Sequence, residues 1–261
     1  MDDDRKKWLW YGIPVVVVLG IVAALIYGRL HRQAGAPEPA VAEQPANPTP
    51  SDEQAIQNPI SPEGGDQPLP PLGESDETIH QDLVNTVGQP LDSYLVPRDI
   101  IRHIVVTVDN LPRKKTAVQL WPIKPTSGTL STSGGEDITL SDNNYARYAP
   151  IIQLLQKTDT KDLVKLYRRY YRLFQEAYVG LGYPNGYFND RLVQVIDDVL
   201  ATPDVEGPVK LTQPGVFYEF ADPSLEQLSA GQKALIRMGP KNAAVVKGKL
   251  RELRAEIARK G

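Results

Sequence analysis

The N-terminal part of the chain contains one long run of residues without a charge, from Trp8 to Gly28. A helix over this run rises about 1.5 Å per residue and spans roughly 30 Å, the thickness of a bilayer's hydrocarbon core. Aromatic residues lie at both ends, as in transmembrane helices that meet the membrane interface. The pattern predicts that residues 1–32 form a short N-terminus and a single transmembrane anchor, with membrane contact through residues 8–28.

A cleaved signal peptide is the alternative interpretation of this run. The triplet Ala34-Gly35-Ala36 has the small residues of a cleavage site. However, the run is long for a signal peptide, Arg29 and Arg32 stand between it and the triplet, and Pro37 would follow the cut. The uncleaved anchor is therefore favoured.

The basic residues that flank the run predict its orientation. Arg5, Lys6 and Lys7 precede the run, whereas Arg29 and Arg32 follow it. Because cytoplasmic flanks carry the excess of Lys and Arg, we expect the N-terminus in the cytoplasm and the body outside. This predicts a single-pass protein of the bacterial inner membrane with a periplasmic body.

Residues 33–71 show no periodic pattern and are rich in proline and alanine. They contain no aromatic residue, so they offer little apolar surface for a core. Proline-rich chains of this kind are semi-extended spacers. The composition predicts a disordered Pro-rich linker over 33–71.

Residues 72–261 alternate between amphipathic segments and turn residues, which is typical of a folded body. We expect a mainly α fold: a compact multi-helix domain with a small β-hairpin, preceded by the single transmembrane helix and the Pro/Ala-rich linker. The hairpin is predicted around Gly134-Gly135, and one or two extended pieces are expected within 207–222. The predicted helices cover 74–87, 96–112, 141–157, 159–182, 189–201, 229–239 and 240–260.

The stretch 182–203, "GYPNGYFNDRLVQVIDDVLATP", concentrates glycines, aromatics and acids. Gly180 and Gly182 can end the preceding helix, and Asn185-Gly186 is a strong turn pair. Asn189 or Asp190 is expected to cap the next helix. These roles predict a structural corner rather than an active site.

Paired acids in this stretch raise the alternative of hydrolysis. Asp190 and Asp197 lie two turns apart on one helical face, about 10 Å along the axis. A carboxylate pair at such a separation could suit an inverting hydrolase, and Glu219 is a further candidate acid. Two acids on one helix are more commonly a solvated face, so these three residues are the catalytic alternatives and not the favoured interpretation.

An aromatic stripe precedes the corner. Its positions follow helical spacing and arginines flank it, a combination that favours recognition surfaces. Burial of the rings in the core is the favoured alternative. The candidate binding residues are Tyr167, Tyr170, Tyr171, Tyr187 and Arg191, and Arg191 is also expected to pair with a carboxylate such as Asp197 or Glu176.

The last predicted helix has an apolar face and an excess of basic residues. Its apolar positions, Val246, Leu250, Leu253 and Ile257, follow helical spacing. A solvated basic face is the default interpretation. Contact with anionic lipid headgroups or with a partner is the alternative.

Composition narrows the chemistry further. The formal net charge is −3, so no overall field favours nucleic acid. The chain has no cysteine, which excludes disulfides, thiolate metal sites and cysteine nucleophiles. The histidines are widely separated and the common catalytic motifs are absent, so we predict no cofactor and no metal site.

Three quoted segments carry a resemblance to a known family. They are 108–114, "VDNLPRK"; 166–203, "LYRRYYRLFQEAYVGLGYPNGYFNDRLVQVIDDVLATP"; and 217–254, "FYEFADPSLEQLSAGQKALIRMGPKNAAVVKGKLRELR". Together they resemble a proteobacterial family known as a domain of unknown function, DUF3014. The similarity runs from about Pro71 to the C-terminus, and the anchor and linker also resemble that family. The resemblance implies no activity and transfers no catalytic residue.

The sequence leaves three functional hypotheses. The favoured one is a membrane-anchored envelope protein whose helical periplasmic domain binds a protein partner or a cell-wall component such as peptidoglycan. The second is an envelope hydrolase that uses Asp or Glu acid–base chemistry. The third is an adaptor that faces the cytoplasm.

Overall fold

A computed structural model describes residues 55–62, 68–114, 120–124, 129–135, 137–215 and 217–258 of the chain. The predicted anchor at residues 8–28 lies outside these ranges. Within them, no helix has both the length and the apolar character needed to cross a membrane. The assignment of residues 1–32 to a short N-terminus and a membrane anchor stays a prediction.

The described part of the chain is mainly helical, as predicted. Two short 3-10 helices, Leu72–Glu74 and Gln89–Ser93, flank the first α-helix. The α-helices are α1 (Asp76–Val87), α2 (Ile100–Asn110), α3 (Asp142–Ala146), α4 (Ala149–Lys157), α5 (Thr160–Gly180), α6 (Phe188–Leu200), α7 (Pro223–Glu226), α8 (Ala230–Met238) and α9 (Pro240–Ile257).

The β structure consists of two antiparallel pairs in the described residues. The predicted hairpin is confirmed: β1 (Thr132–Ser133) pairs with β2 (Thr139–Leu140). The extended pieces expected within 207–222 form the second pair, β3 (Leu211–Thr212) with β4 (Glu219–Phe220). Backbone hydrogen bonds between 138–140 and 209–211 join the two pairs, which share a small apolar cluster with Ile236 of α8.

The main core forms where α9 packs against α4, α5, α6 and α8. The apolar positions predicted for α9 are all buried. On the other side of α5 lies α2, so the long helix is covered on two sides and its aromatic residues lie inside. This arrangement brings the C-terminal end of α2 close to the start of α6, where the functional candidates cluster.

Part of the predicted linker belongs to the folded body. Residues 55–62, which the composition assigned to a disordered linker, pack against α6, and the side chain of Ile60 is buried in the main core. The composition argument fails here because it averages over the whole segment. One aliphatic residue with backbone partners on the body is enough to dock a short stretch.

Candidate functional site

Residues 181–191 end α5, turn the chain and begin α6; we call them the α5–α6 corner. Gly182 adopts φ 103°, a left-handed conformation that favours glycine, just after the helix ends, as predicted. Asn185-Gly186 lies in the expected turn, and the N–H of Gly186 donates to the carbonyl of Tyr183 at 3.0 Å. A Cβ on Gly186 would lie 2.8 Å from Cε1 of Tyr178, so the turn packs tightly on α5.

The cap of α6 differs from the prediction. Helix α6 begins at Phe188, one residue before Asn189, so neither Asn189 nor Asp190 occupies the capping position. Instead, Gln175 of α5 holds the helix start: its Oε1 accepts from the N–H of Phe188 at 2.8 Å, and its Nε2 donates to the carbonyl of Gly186 at 2.7 Å. Because Gln175 holds the helix start, the side chains of Asn189 and Asp190 can contact segments that are distant in sequence.

Arg191 is tied to Asp109, and not to Asp197 or Glu176 as expected. Its Nε donates to the carboxylate at 3.0 Å and its Nη2 to the Asp109 backbone carbonyl at 2.7 Å. Arg113 donates to the same carboxylate at 2.7 Å, and the hydroxyl of Tyr183 also donates to that carboxylate, at 3.3 Å. Asp109, which is not among the candidate residues of the sequence analysis, is therefore the buried centre of a cluster that joins α2 to the corner.

The phenols around this cluster stay protonated over the physiological range. Burial, together with the charge of Asp109, raises the pKa of Tyr178 to about 12. Burial and the same carboxylate also raise the pKa of Tyr183. The Tyr183 hydroxyl therefore keeps the proton that it donates to Asp109.

Asp190 binds the segment 55–62. Its Oδ2 accepts from the backbone N–H of Gln57 at 3.0 Å, and its Oδ1 from the backbone N–H of Asn58 at 2.6 Å. The side-chain Nδ2 of Asn58 also donates to Oδ1, at 3.0 Å. This catalytic candidate thus has its carboxylate oxygens occupied by the chain itself.

Tyr187 and Asn189 complete the contact with the same segment. The Tyr187 hydroxyl accepts from the N–H of Ile60 at 2.9 Å. Asn189 is fully buried, and its Nδ2 donates to the carbonyls of Asn58 and Ile257 at 2.8 and 2.9 Å. Sequence reasoning selected Tyr187 as a binding residue but missed Asn189 and Asn58, because their partners lie far away along the chain.

The other catalytic candidates lie in separate contacts. Asp197 forms an ion pair and hydrogen bonds with Arg254 of α9. Its neighbour Asp198 accepts from the hydroxyl of Ser229 at 2.7 Å, next to the capping box that begins α8. Glu219 lies on β4 with its side chain exposed. The structure therefore does not gather Asp190, Asp197 and Glu219 into one cleft.

The aromatic stripe is buried. Tyr167, Tyr170 and Tyr171 are each less than 5% exposed, as the core-packing interpretation predicts. The Tyr170 hydroxyl donates to Asp82 of α1 at 2.7 Å, and the Tyr167 hydroxyl to Asn189 at 3.1 Å. These three tyrosines are not available as a recognition surface in this structure, because their rings and hydroxyls are used inside the body.

Most of the folded body matches a family model. The model, DUF3014, is described as a protein of unknown function and matches residues 100–254, more than half of the chain. The chain belongs to the DUF3014 family. No curated protein and no solved structure matches it. The matched range begins at α2 and includes the Asp109–Arg191 cluster.

The basic helix of this DUF3014 protein uses several of its cations within the fold. Lys247 is buried, and its Nζ donates to the carbonyl of Thr202 at 2.7 Å and to Asp204 at 2.8 Å. Lys249 donates to the carbonyl of Thr158 at 3.1 Å. Together with Arg254, these residues fix α9 to its neighbours, so the basic excess is in part structural.

One open cavity of about 280 Å³ lies beside α9 in this DUF3014 protein. It is lined by Tyr145 of α3, by residues of the 202–209 loop and by residues around the junction of α8 and α9, with Lys247 of α9. Within the described residues, no three His, Asp or Glu side chains are grouped so as to hold a metal ion.

Proposed function

We propose that this DUF3014 protein is a single-pass, membrane-anchored protein of the bacterial cell envelope. Its helical body would lie in the periplasm and act as a scaffold or interaction module for a protein partner or a cell-wall component. The long uncharged run at residues 8–28 supports the anchor, and the basic residues before it support the orientation.

The observation that carries the interaction role is the use of the acids on α6. Asp190 holds residues 57 and 58, Asp197 pairs with Arg254, and Asp198 binds Ser229. A general acid or base needs a carboxyl group within reach of a substrate. Carboxylates used to join segments of the chain support a binding body more than an envelope hydrolase.

Membrane attachment is tested by fractionation. Replacing Val17 and Ile21 with Arg places two charges within the apolar run, each of which costs about 2.5–3.5 kcal/mol at the centre of a transmembrane helix. We expect the unaltered chain in the membrane fraction and the double variant depleted from it. The matched control carries the two arginines at Ala42 and Ala46, outside the run and at the same spacing. Equal fractionation of all three chains would contradict the anchor.

The side of the membrane is tested by reporters fused after Gly261. A reporter that is active only after export should be active, and a reporter that is active only in the cytoplasm should be silent. The reverse result would favour the adaptor that faces the cytoplasm. Crosslinking of the anchored chain in intact cells, with the double-arginine variant as control, should then yield partner adducts only from the anchored form.

A further inference from the structure

The α5–α6 corner holds residues 57–60, which bend at Gln57 and Asn58, through contacts like those that a binding site makes with a peptide. We propose that the corner is a peptide-binding site for a bent segment in which Asn is followed, two residues later, by an aliphatic residue, and that residues 57–60 occupy it in cis. The proposal deepens the proposed function, on which it rests, by naming the binding surface and the class of partner.

Most of the contacts are hydrogen bonds to the backbone of the bound segment. Asp190 accepts two consecutive N–H groups, those of Gln57 and Asn58, at 3.0 and 2.6 Å. Tyr187 accepts the N–H of Ile60 at 2.9 Å, and Asn189 donates to the carbonyl of Asn58 at 2.8 Å. Main-chain hydrogen bonds of this kind give affinity for a segment that bends in the same way as Gln57 and Asn58 do.

Two side chains of the segment supply selectivity. The Nδ2 of Asn58 donates to Oδ1 of Asp190 at 3.0 Å, and Ile60 is only 8% exposed in the main core. Pro59 between them has no N–H, so it leaves no donor without a partner at that position. The bound pattern is therefore Asn, then a residue that needs no donor contact, then an aliphatic anchor.

The body holds the site's side chains by contacts that do not involve the segment. Asn189 accepts from the Tyr167 hydroxyl at 3.1 Å and donates to the carbonyl of Ile257 at 2.9 Å. The ring of Tyr187 packs on that of Tyr171, with ring centroids 5.5 Å apart. Preorganised groups of this kind reduce the ordering cost of binding a ligand.

The occupant in cis determines when the site is available. A segment of the same chain competes at a high effective concentration, so a partner segment must displace it. The partner we propose is a stretch of another polypeptide that adopts the same bend and has the same Asn and aliphatic spacing. Release of residues 57–60 would expose both the Asp190 carboxylate and the apolar seat of Ile60.

The test uses the full chain in detergent and a fluorescent peptide with the sequence of residues 54–62, QAIQNPISP. The variant Asn58→Gly/Ile60→Ser weakens the hold on the chain's own segment. We expect this released variant to bind the peptide at least tenfold more tightly than the unaltered chain does, as measured by fluorescence anisotropy. A peptide with Ser at the Ile60 position should compete at least tenfold less well.

The matched controls compare two acids of α6 in the released variant. Adding Asp190→Asn should weaken peptide binding at least tenfold, whereas adding Asp197→Asn should leave it unchanged. A released variant that keeps the circular dichroism of the unaltered chain but binds no peptide would overturn the proposal, as would equal effects of the two Asn substitutions.

If the double variant does not fold, Ile60→Ser alone, which keeps every backbone contact, is held to the same criteria. Failure here leaves the membrane and reporter results unaffected, so the two proposals fail separately.

Discussion

The side chain of Arg191, at the start of α6, donates to both the carboxylate and the backbone carbonyl of Asp109, at the end of α2. The donor–acceptor distances are 3.0 Å to the carboxylate and 2.7 Å to the carbonyl. The Asp109 side chain is 6% exposed and that of Arg191 is 20% exposed. A carboxylate so deeply buried needs its cation, because an unpaired charge in the interior is very unfavourable. The pair therefore joins α2 to the α5–α6 corner.

Replacing Arg191 with Leu should lower the free energy of unfolding by about 3 kcal/mol, because it leaves Asp109 buried with only part of its partners. Arg113→Ala is the matched control: Arg113 touches the same carboxylate, but its side chain is 43% exposed. An exposed partner is expected to contribute less than about 1 kcal/mol. Urea unfolding followed by circular dichroism measures both, and equal losses would contradict the central position of Arg191.

The helices could be predicted because their signals are local. The apolar spacing of α9 and the turn at Asn185-Gly186 each depend on residues a few positions apart. Docking of residues 55–62 could not be predicted in this way. It depends on Asp190, more than 130 positions away in the sequence, and periodicity carries no information about such contacts.

The same distinction applies to the candidate site. The glycines and the turn pair of 182–203 correctly predict a corner. The expected partners of Arg191 lie close to it in sequence, Asp197 in α6 itself and Glu176 at the end of α5, whereas its actual partner lies in α2. Asp109 lies 82 positions away. The segment that contains Asp109, "VDNLPRK", is one of those that carry the family resemblance. Its Asp109 and Arg113 form the cluster that joins α2 to the corner.

Gly231 in the first turn of α8 allows close packing. A Cβ there would lie 2.8 Å from Cγ2 of Val199 on α6, and the N–H of Gly231 donates to the carbonyl of Leu111 at 3.0 Å. Gly231→Ala should therefore lower the free energy of unfolding by about 1–3 kcal/mol. Gly248→Ala in α9, where an added Cβ meets nothing within 4 Å, should raise it by about 0.5–1 kcal/mol. Thermal unfolding of the two variants measures these changes in stability. If both substitutions stabilised the chain, or both destabilised it, the packing account would be contradicted.

His103 on α2 is expected to make the stability of the fold depend on pH. Burial lowers its pKa from the ordinary value of 6.5, against the opposing charges of Asp99 and Asp76 and with a smaller contribution from Arg98. The unfolded chain thus binds a proton more readily than the folded chain does, so stability falls as the pH drops below about 6.5. His103→Gln should remove this component. Unfolding free energies at about pH 7.5 and pH 5.5 test it, and an unchanged pH dependence in the variant would contradict the assignment.

Hydrogen exchange of the segment 55–62 tests the central claim most directly: the acids of the corner hold the chain together. In the unaltered chain, the account predicts slow exchange of the N–H groups of Gln57, Asn58 and Ile60. Asp190→Asn should speed exchange at Gln57 and Asn58 while α5 and α9 stay protected, because Asn lacks the charge that strengthens both bonds. Asp197→Asn should leave the segment unchanged. Fast exchange at these N–H groups in the unaltered chain, or no response to Asp190→Asn, would contradict the account.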